Sequence, residues 1–108
     1  MNPNLPESIS AYFSASNGQD TSHIEHYFSA DAVVIDEGSP RRGLAAIGSW
    51  MQEAQTRFQF RAEPKAVARD DERVVVTATV TGNFPGSPAS LHYAFLLKDN
   101  KIQFLEIN

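Results

Sequence analysis

Apolar positions recur first at helical and later at strand spacing along the chain. Over residues 7–16, Ile9, Tyr12 and Phe13 lie three and four apart with Ala15 beside them, which predicts an amphipathic helix. Pro6 suits its first turn, where a missing N–H is no loss, and Asn17-Gly18 closes it as a C-cap. Residues 1–6 read as a short arm punctuated by Pro3 and Pro6. Ile24, Tyr27 and Phe28 predict a second, short helix capped by Asp20, Thr21 or Ser22 and ended by residues 29–31. Ala32-Val33-Val34-Ile35-Asp36 is a β-branched run and predicts a strand; Glu37-Gly38-Ser39-Pro40 predicts a turn. After Gly43, Leu44, Ile47, Trp50, Met51, Ala54 and Phe58 step by three and four, predicting a third helix.

From Phe58 onward the period becomes two. Phe58, Phe60 and Ala62 alternate with polar residues, so a strand is expected to begin there, and Pro64 confines it to an edge or a bulge. Asp70-Asp71-Glu72 is a charged turn, and residues 73–83 form the best strand pattern in the chain. A loop, Phe84-Pro85-Gly86-Ser87-Pro88, leads to a strand over 90–97 with Leu91, Tyr93, Phe95 and Leu97 on one face. Asp99-Asn100 makes a hairpin turn into a last strand over 101–107. The order α-α-β-α-β-β-β-β means an α+β fold with a mainly antiparallel sheet. No linker or repeat interrupts it, so residues 1–108 read as one domain. Long strands twist and coil, and a chain this small cannot fill the space beneath them. The expected result is a cone with apolar walls, open at one end.

Composition narrows the partners. The chain is 42% hydrophobic and 20% charged, with a net charge of −4 and an isoelectric point near 5.2. Its longest basic run, Arg41-Arg42, is too short to track a phosphate backbone, so no nucleic-acid partner is expected. The lack of cysteine excludes disulfides, thiolate metal sites and a cysteine nucleophile, and it fits a cytoplasmic location. Residues 1–6 show neither a basic nor an apolar segment, so no signal peptide is expected. No apolar run approaches a membrane span, so no membrane association is expected.

Asp36 is the leading candidate for chemistry. It follows four apolar residues, and an aspartate drawn out of water into a cavity is a stronger proton acceptor. Its alternative role is to open a turn by accepting backbone N–H groups. Tyr12, on the first helix's apolar face, offers a hydroxyl donor or is simply a satisfied buried tyrosine. Glu37 and Arg42 form a candidate polar mouth, or else a turn residue and a solvated arginine. The pocket walls are assigned to Phe13, Phe28, Trp50, Phe58, Phe84, Leu91, Tyr93 and Phe95, although each aromatic is also a natural core residue. His92 is a candidate acid or base in one register. In the other, with Leu91 and Tyr93 facing the cavity, it turns to the opposite sheet face. His23 and His26 are three apart, but no third ligand stands near them, so no metal site is expected.

Several of these pieces, in this order, resemble the nuclear transport factor 2-like superfamily, especially its SnoaL-like and ketosteroid-isomerase-like members. They are Tyr12 with Ser16-Asn17-Gly18-Gln19-Asp20, then Tyr27-Phe28-Ser29-Ala30-Asp31-Ala32-Val33. Asp36-Glu37-Gly38, Arg42-Gly43, Ala46-Ile47 and Trp50 follow, and then the strand over 74–80 and the hairpin over 93–107. The resemblance implies a cone-shaped α+β barrel, three N-terminal helices packed on a curved, mainly antiparallel mixed sheet. It implies that Asp36 stands where ketosteroid isomerases carry their proton-abstracting aspartate and Tyr12 where they carry an oxyanion-hole tyrosine. It also implies a departure: Leu91 falls where the second, protonated oxyanion donor belongs, and leucine cannot donate a hydrogen bond. A small lyase, isomerase or cyclase acting on an apolar carbonyl compound without a cofactor is one expectation. A non-catalytic module that binds a small apolar ligand, or another protein, is the other. Homodimerisation through the open sheet face is expected from the resemblance and from the need to cover that face.

Overall fold

The helical spacing of Ile9, Tyr12 and Phe13 becomes α1 (Glu7–Gly18) in the computed structural model, which describes residues 5–18 and 22–108. Of the arm predicted over 1–6, residues 1–4 lie outside the described residues, as do the cap candidates Asp20 and Thr21. The predicted second helix is a correction. It is a single 3-10 turn, Ile24–His26, and Phe28 already opens β1 (Phe28–Asp36). Ile24 and Tyr27 are buried three apart, which a 3-10 turn satisfies as well as an α-helix does. The Ile102 N–H donates to the Tyr27 carbonyl at 2.8 Å, so sheet pairing captures the segment that the i+4 spacing assigned to a helix.

A second correction follows directly. Ser39–Arg42, expected within a turn and its exit, is a short strand, β2, antiparallel to β1. Two strands therefore precede the remaining helix, α2 (Leu44–Phe58), and the helices do not all come first. Among the described residues there are two α-helices rather than three. Glu37 (φ 53°) and Gly38 (φ 76°) form the two-residue β1–β2 turn, and Asp99 (φ 53°) and Asn100 (φ 65°) form the β5–β6 turn. Positive φ at both central positions is the turn geometry that matches the twist of paired strands.

Phe58 ends α2, and Gln59 caps it in the left-handed conformation, so β3 (Arg61–Asp70) begins three residues later than the alternation suggested. β4 (Arg73–Thr81), β5 (Ala89–Lys98) and β6 (Lys101–Ile107) complete one sheet of order β2-β1-β6-β5-β4-β3. Only β1 and β6 run parallel; the other neighbours are antiparallel. The sheet is curved and open: β2 and β3 are its edges and do not pair, so the expected cone-shaped barrel is corrected to a curved open sheet. Pro64 sits on edge strand β3 at a register shift, where its missing N–H costs no ladder bond.

The core lies between the concave sheet face and the two helices. Alternate residues of β4 (Val74, Val76, Ala78, Val80) and β5 (Tyr93, Phe95, Leu97) meet Ile9, Tyr12 and Phe13 of α1 and Ile47, Trp50 and Met51 of α2. Two amide side chains, half-buried Asn17 and buried Gln55, join the layers. Asn17 Nδ2 donates to the Ala62 carbonyl at 2.8 Å and Asn17 Oδ1 accepts from the Ala62 N–H at 2.8 Å, so the end of α1 pairs with β3 as a strand residue would. Gln55 Nε2 donates to the carbonyls of Ser16 (2.6 Å) and Phe60 (2.9 Å).

Candidate active site

Asp36 is the last residue of β1 and shares its face with Ala32 and Val34, both fully buried. The strand alternation therefore aims its carboxylate inward, at the point where the β1–β2 turn interrupts the apolar core. Gly43 sets the opposite wall. Its backbone (φ 85°, ψ 163°) is open only to glycine, and its N–H donates to the Ala32 carbonyl at 2.9 Å. The start of α2 is thus tied to β1. Two turns further along α2, Trp50 Nε1 donates to Asp36 Oδ2 at 3.0 Å. This bond fixes one carboxylate oxygen and leaves the other available to the cavity.

The cavity measures about 400 Å³, within the usual range for small-molecule sites. Asp36, Tyr12, Trp50 and Tyr93 form its polar part; Phe58, Phe60, Val80, Phe84, Leu91 and Ile107 form most of its apolar wall. Exposed Glu37, Arg57 and Pro85 stand at the rim. Phe58 and Phe84 meet edge to face with ring centroids 6.1 Å apart, and the Arg57 guanidinium lies 5.0 Å from the Phe58 centroid. The wall near Phe60 depends on Gly82: a Cβ there would lie 2.9 Å from the Phe58 carbonyl oxygen and from Phe60 Cα.

Two hydroxyls face Asp36 electrostatically. Burial pushes Tyr12 well above its ordinary value, with the charges of Tyr93 and Asp36 adding and a hydrogen bond with Ser16 opposing. Burial likewise raises Tyr93, and the Asp36 charge adds to it. Both groups therefore stay protonated, and both are O–H donors across the neutral range.

The structure brings together Tyr12, Asp36, Glu37, Trp50, Phe58, Phe84, Leu91 and Tyr93 at this cavity. It does not bring the other candidates there. Phe13, Phe28 and Phe95 lie beneath it as core, where Phe28 and Phe95 each pack against the Tyr12 ring at 5.8 Å. Arg42 pairs in register with Val33 on exposed β2 and does not line the cavity. His92 is exposed beside Thr77 on the outer sheet face, because Leu91 and Tyr93 take the inner one. His23 and His26 stack edge to face at 5.2 Å away from the cavity, and no group of three potential metal ligands occurs among the described residues.

Sequence reasoning missed Arg57 and undervalued Tyr93. Arg57 lies seven residues after Trp50 and so on the same helix face, a spacing that the apolar periodicity passed over. Tyr93, a wall residue by its aromatic character, stands two residues from Leu91 on the same strand face and carries the hydroxyl that Leu91 lacks.

Known proteins place the chain by similarity. Its sequence matches the family model of the SnoaL-like domain over residues 9–102. It is similar to a proposed polyketide cyclase from Sinorhizobium meliloti, at 40% identity over 96% of this chain and 95% of that one, with a TM-score of 0.92. A Catenulispora acidiphila protein with a ketosteroid isomerase-like fold, solved with trimethylamine, is 18% identical over 97% of this chain and 86% of that one, with a TM-score of 0.84. An NTF2-like protein of unknown function from Cytophaga hutchinsonii is 12% identical over 100% and 93% of the two chains, with a TM-score of 0.79. No curated protein sequence matches the chain. Among the described residues no helix is long and apolar enough to cross a membrane. With the family model matched across most of its length and the same fold in each of these neighbours, the chain belongs to the SnoaL-like domain family.

Proposed function

We propose that this SnoaL-like protein catalyses carbon-acid chemistry, an isomerisation or aldol-type cyclisation of an apolar carbonyl compound, with Asp36 as general base. The observation that carries the reading is the Asp36–Trp50 bond. A carboxylate held through one oxygen by an indole N–H, at the edge of an apolar cavity, presents its other oxygen to a bound compound. The 40% identity to a proposed polyketide cyclase supports the same class.

In the proposed reaction the free Asp36 oxygen takes a proton from the carbon beside a carbonyl. The C–H electron pair moves into a C=C bond while the carbonyl π pair moves to oxygen, giving an enolate. Tyr12 and Tyr93 donate their O–H groups to that oxygen and stabilise the developing charge. For an isomerisation, the proton returns to another carbon of the enolate. For a cyclisation, the enolate carbon attacks a second carbonyl of the same molecule, a C–C bond forms, and the proton held by Asp36 passes to the new alkoxide. Neither outcome needs an oxidant, a reductant or a cofactor.

The test is deuterium incorporation beside the carbonyl of aryl methyl ketones and aryl β-diketones in D2O, followed by NMR. Asp36→Asn is expected to slow exchange about a thousandfold with the fold retained by circular dichroism. Equal exchange in both proteins would remove Asp36 as the base. The second reading, a carrier that binds such compounds without turning them over, is favoured by Leu91 in the cavity wall, which offers no hydrogen-bond donor. It predicts binding without exchange.

The outer sheet face supports the proposal of a homodimer. Val75 and Leu96 stand 39% and 37% exposed there, amid half-buried Ala94 and Phe104. A second copy would cover them.

A further inference from the structure

Arg57 has no part in the proton transfer just described, yet it lines the same cavity. Its guanidinium rests against the Phe58 ring at 5.0 Å, a cation–π contact that restricts an otherwise flexible side chain. No carboxylate of the described residues forms an ion pair with it; the ion pairs found there are His26–Glu25 and Lys65–Glu63. Glu37, the other charged residue at the rim, adjoins Asp36 in sequence and belongs to the end of the cavity marked by Trp50. The two ends therefore differ in charge: carboxylates stand at the Trp50 end and a cation at the Arg57 end.

Helix geometry sets the separation. Trp50, Ala54, Arg57 and Phe58 all line the cavity from one face of α2. We propose that Arg57 is the specificity residue of this site, and that the compound it selects carries a carboxylate about 10 Å from its reacting carbonyl, the axial rise of seven helical residues. The aromatic walls between the two ends fit a flat apolar spacer. A neutral carbonyl meets Asp36, Tyr12 and Tyr93, while the carboxylate is drawn to Arg57 and repelled by Asp36 and Glu37, so the compound has one orientation. Arg57 also lies in the last turn of α2, where the helix carries a partial negative charge of about half a unit. That charge and solvent exposure keep the expected selectivity modest.

The inference rests on the reading of Asp36 as the reacting end, and the test separates the two. Trp50 is the only tryptophan of the chain and lines the cavity, so its fluorescence reports binding. The probes are a biphenyl with acetyl and carboxylate groups at opposite para ends, its methyl ester, and the shorter para-acetylbenzoate. The biphenyl acid is expected to bind about fivefold more tightly than its ester, as one partly exposed charge pair allows. The preference should shrink as salt rises, disappear in Arg57→Gln as the acid-to-ester affinity ratio falls to one, and persist in part in Arg57→Lys. The shorter acid should bind Arg57→Gln and the unaltered protein alike. Equal affinity for acid and ester, an unchanged preference in Arg57→Gln, or equal Arg57 dependence for the shorter acid would each overturn the inference while leaving Asp36 untouched. Selective binding without deuterium exchange would sink the base and leave the Arg57 assignment standing. If no probe altered Trp50 fluorescence, the Arg57 assignment would fall, with Asp36 still judged by deuterium exchange.

Discussion

At Asp36 a strand with an apolar inner face ends in a carboxylate, and the Trp50 indole N–H is the group that meets it there. Removing that donor in Trp50→Phe is expected to leave the carboxylate free to rotate. Exchange should slow by about tenfold, the low end for one hydrogen bond to a charged group, with circular dichroism unchanged; an unaltered rate would mean that the bond has no positioning role. Tyr93 is tested in the same assay, where Tyr93→Phe is expected to cost about a hundredfold if it serves as the second oxyanion donor. The two tyrosines also set an alkaline limit. Each holds its proton above the ordinary value in the folded state, so below about pH 10 neither folded nor unfolded chain ionises there. As pH rises past 10 only the unfolded chain releases these protons, and stability falls. The urea midpoint should decline above pH 10, and less steeply in Tyr93→Phe; equal slopes would count against the shift at Tyr93.

At the scale of elements, the contact between the end of β4 and the turn after α2 controls the shape of the cavity. Gly82→Ala would place a Cβ 2.9 Å from backbone atoms of Phe58 and Phe60, where no flexible side-chain end can give way. A loss of about 2 kcal/mol is expected, read as a lowered urea midpoint, together with weaker ligand binding because Phe58 and Phe60 line the cavity. Asn17→Ala removes both bonds to Ala62 and should cost a similar amount, about 2 kcal/mol. It should do so with little effect on binding, since neither residue lines the cavity. The element boundaries were legible only where local chemistry decided them. α2 follows from its spacing and the preceding glycine, and the Asp99-Asn100 turn from its residues. The 3-10 turn and the early start of β1 were not legible, because the pairing of Tyr27 and Phe28 with Ile102 lies more than seventy residues away in sequence.

For the whole molecule, the open sheet leaves a face that the helices do not cover. If a second copy covers it, the protein should sediment at twice the 11.9 kDa chain mass at micromolar concentration. Placing charges at the patch in Val75→Lys with Leu96→Glu should shift it to a monomer with deuterium exchange retained. A monomeric unaltered protein would end the dimer proposal. His92 belongs to this scale too, because it lies on that outer face and not in the cavity.

Periodicity alone determined that α1 and α2 are amphipathic, that Leu91 and Tyr93 share a face, and that Asp36 terminates an apolar strand. Those are local properties, since the repeat of a helix or strand sorts its own side chains by face. Only the tertiary structure decided which aromatics fill the core and which border a void. Phe13 and Phe95 close over each other and Tyr12, whereas Phe58 and Phe84 stand apart from that cluster at the cavity. It also decided that Trp50 reaches Asp36 and that Tyr93 and Arg57 join the site. A face has no meaning for chemistry until another element is laid against it. The register of β1 on β6 and the seating of α2 on β1 are set by contacts far apart in the chain, which no local repeat encodes.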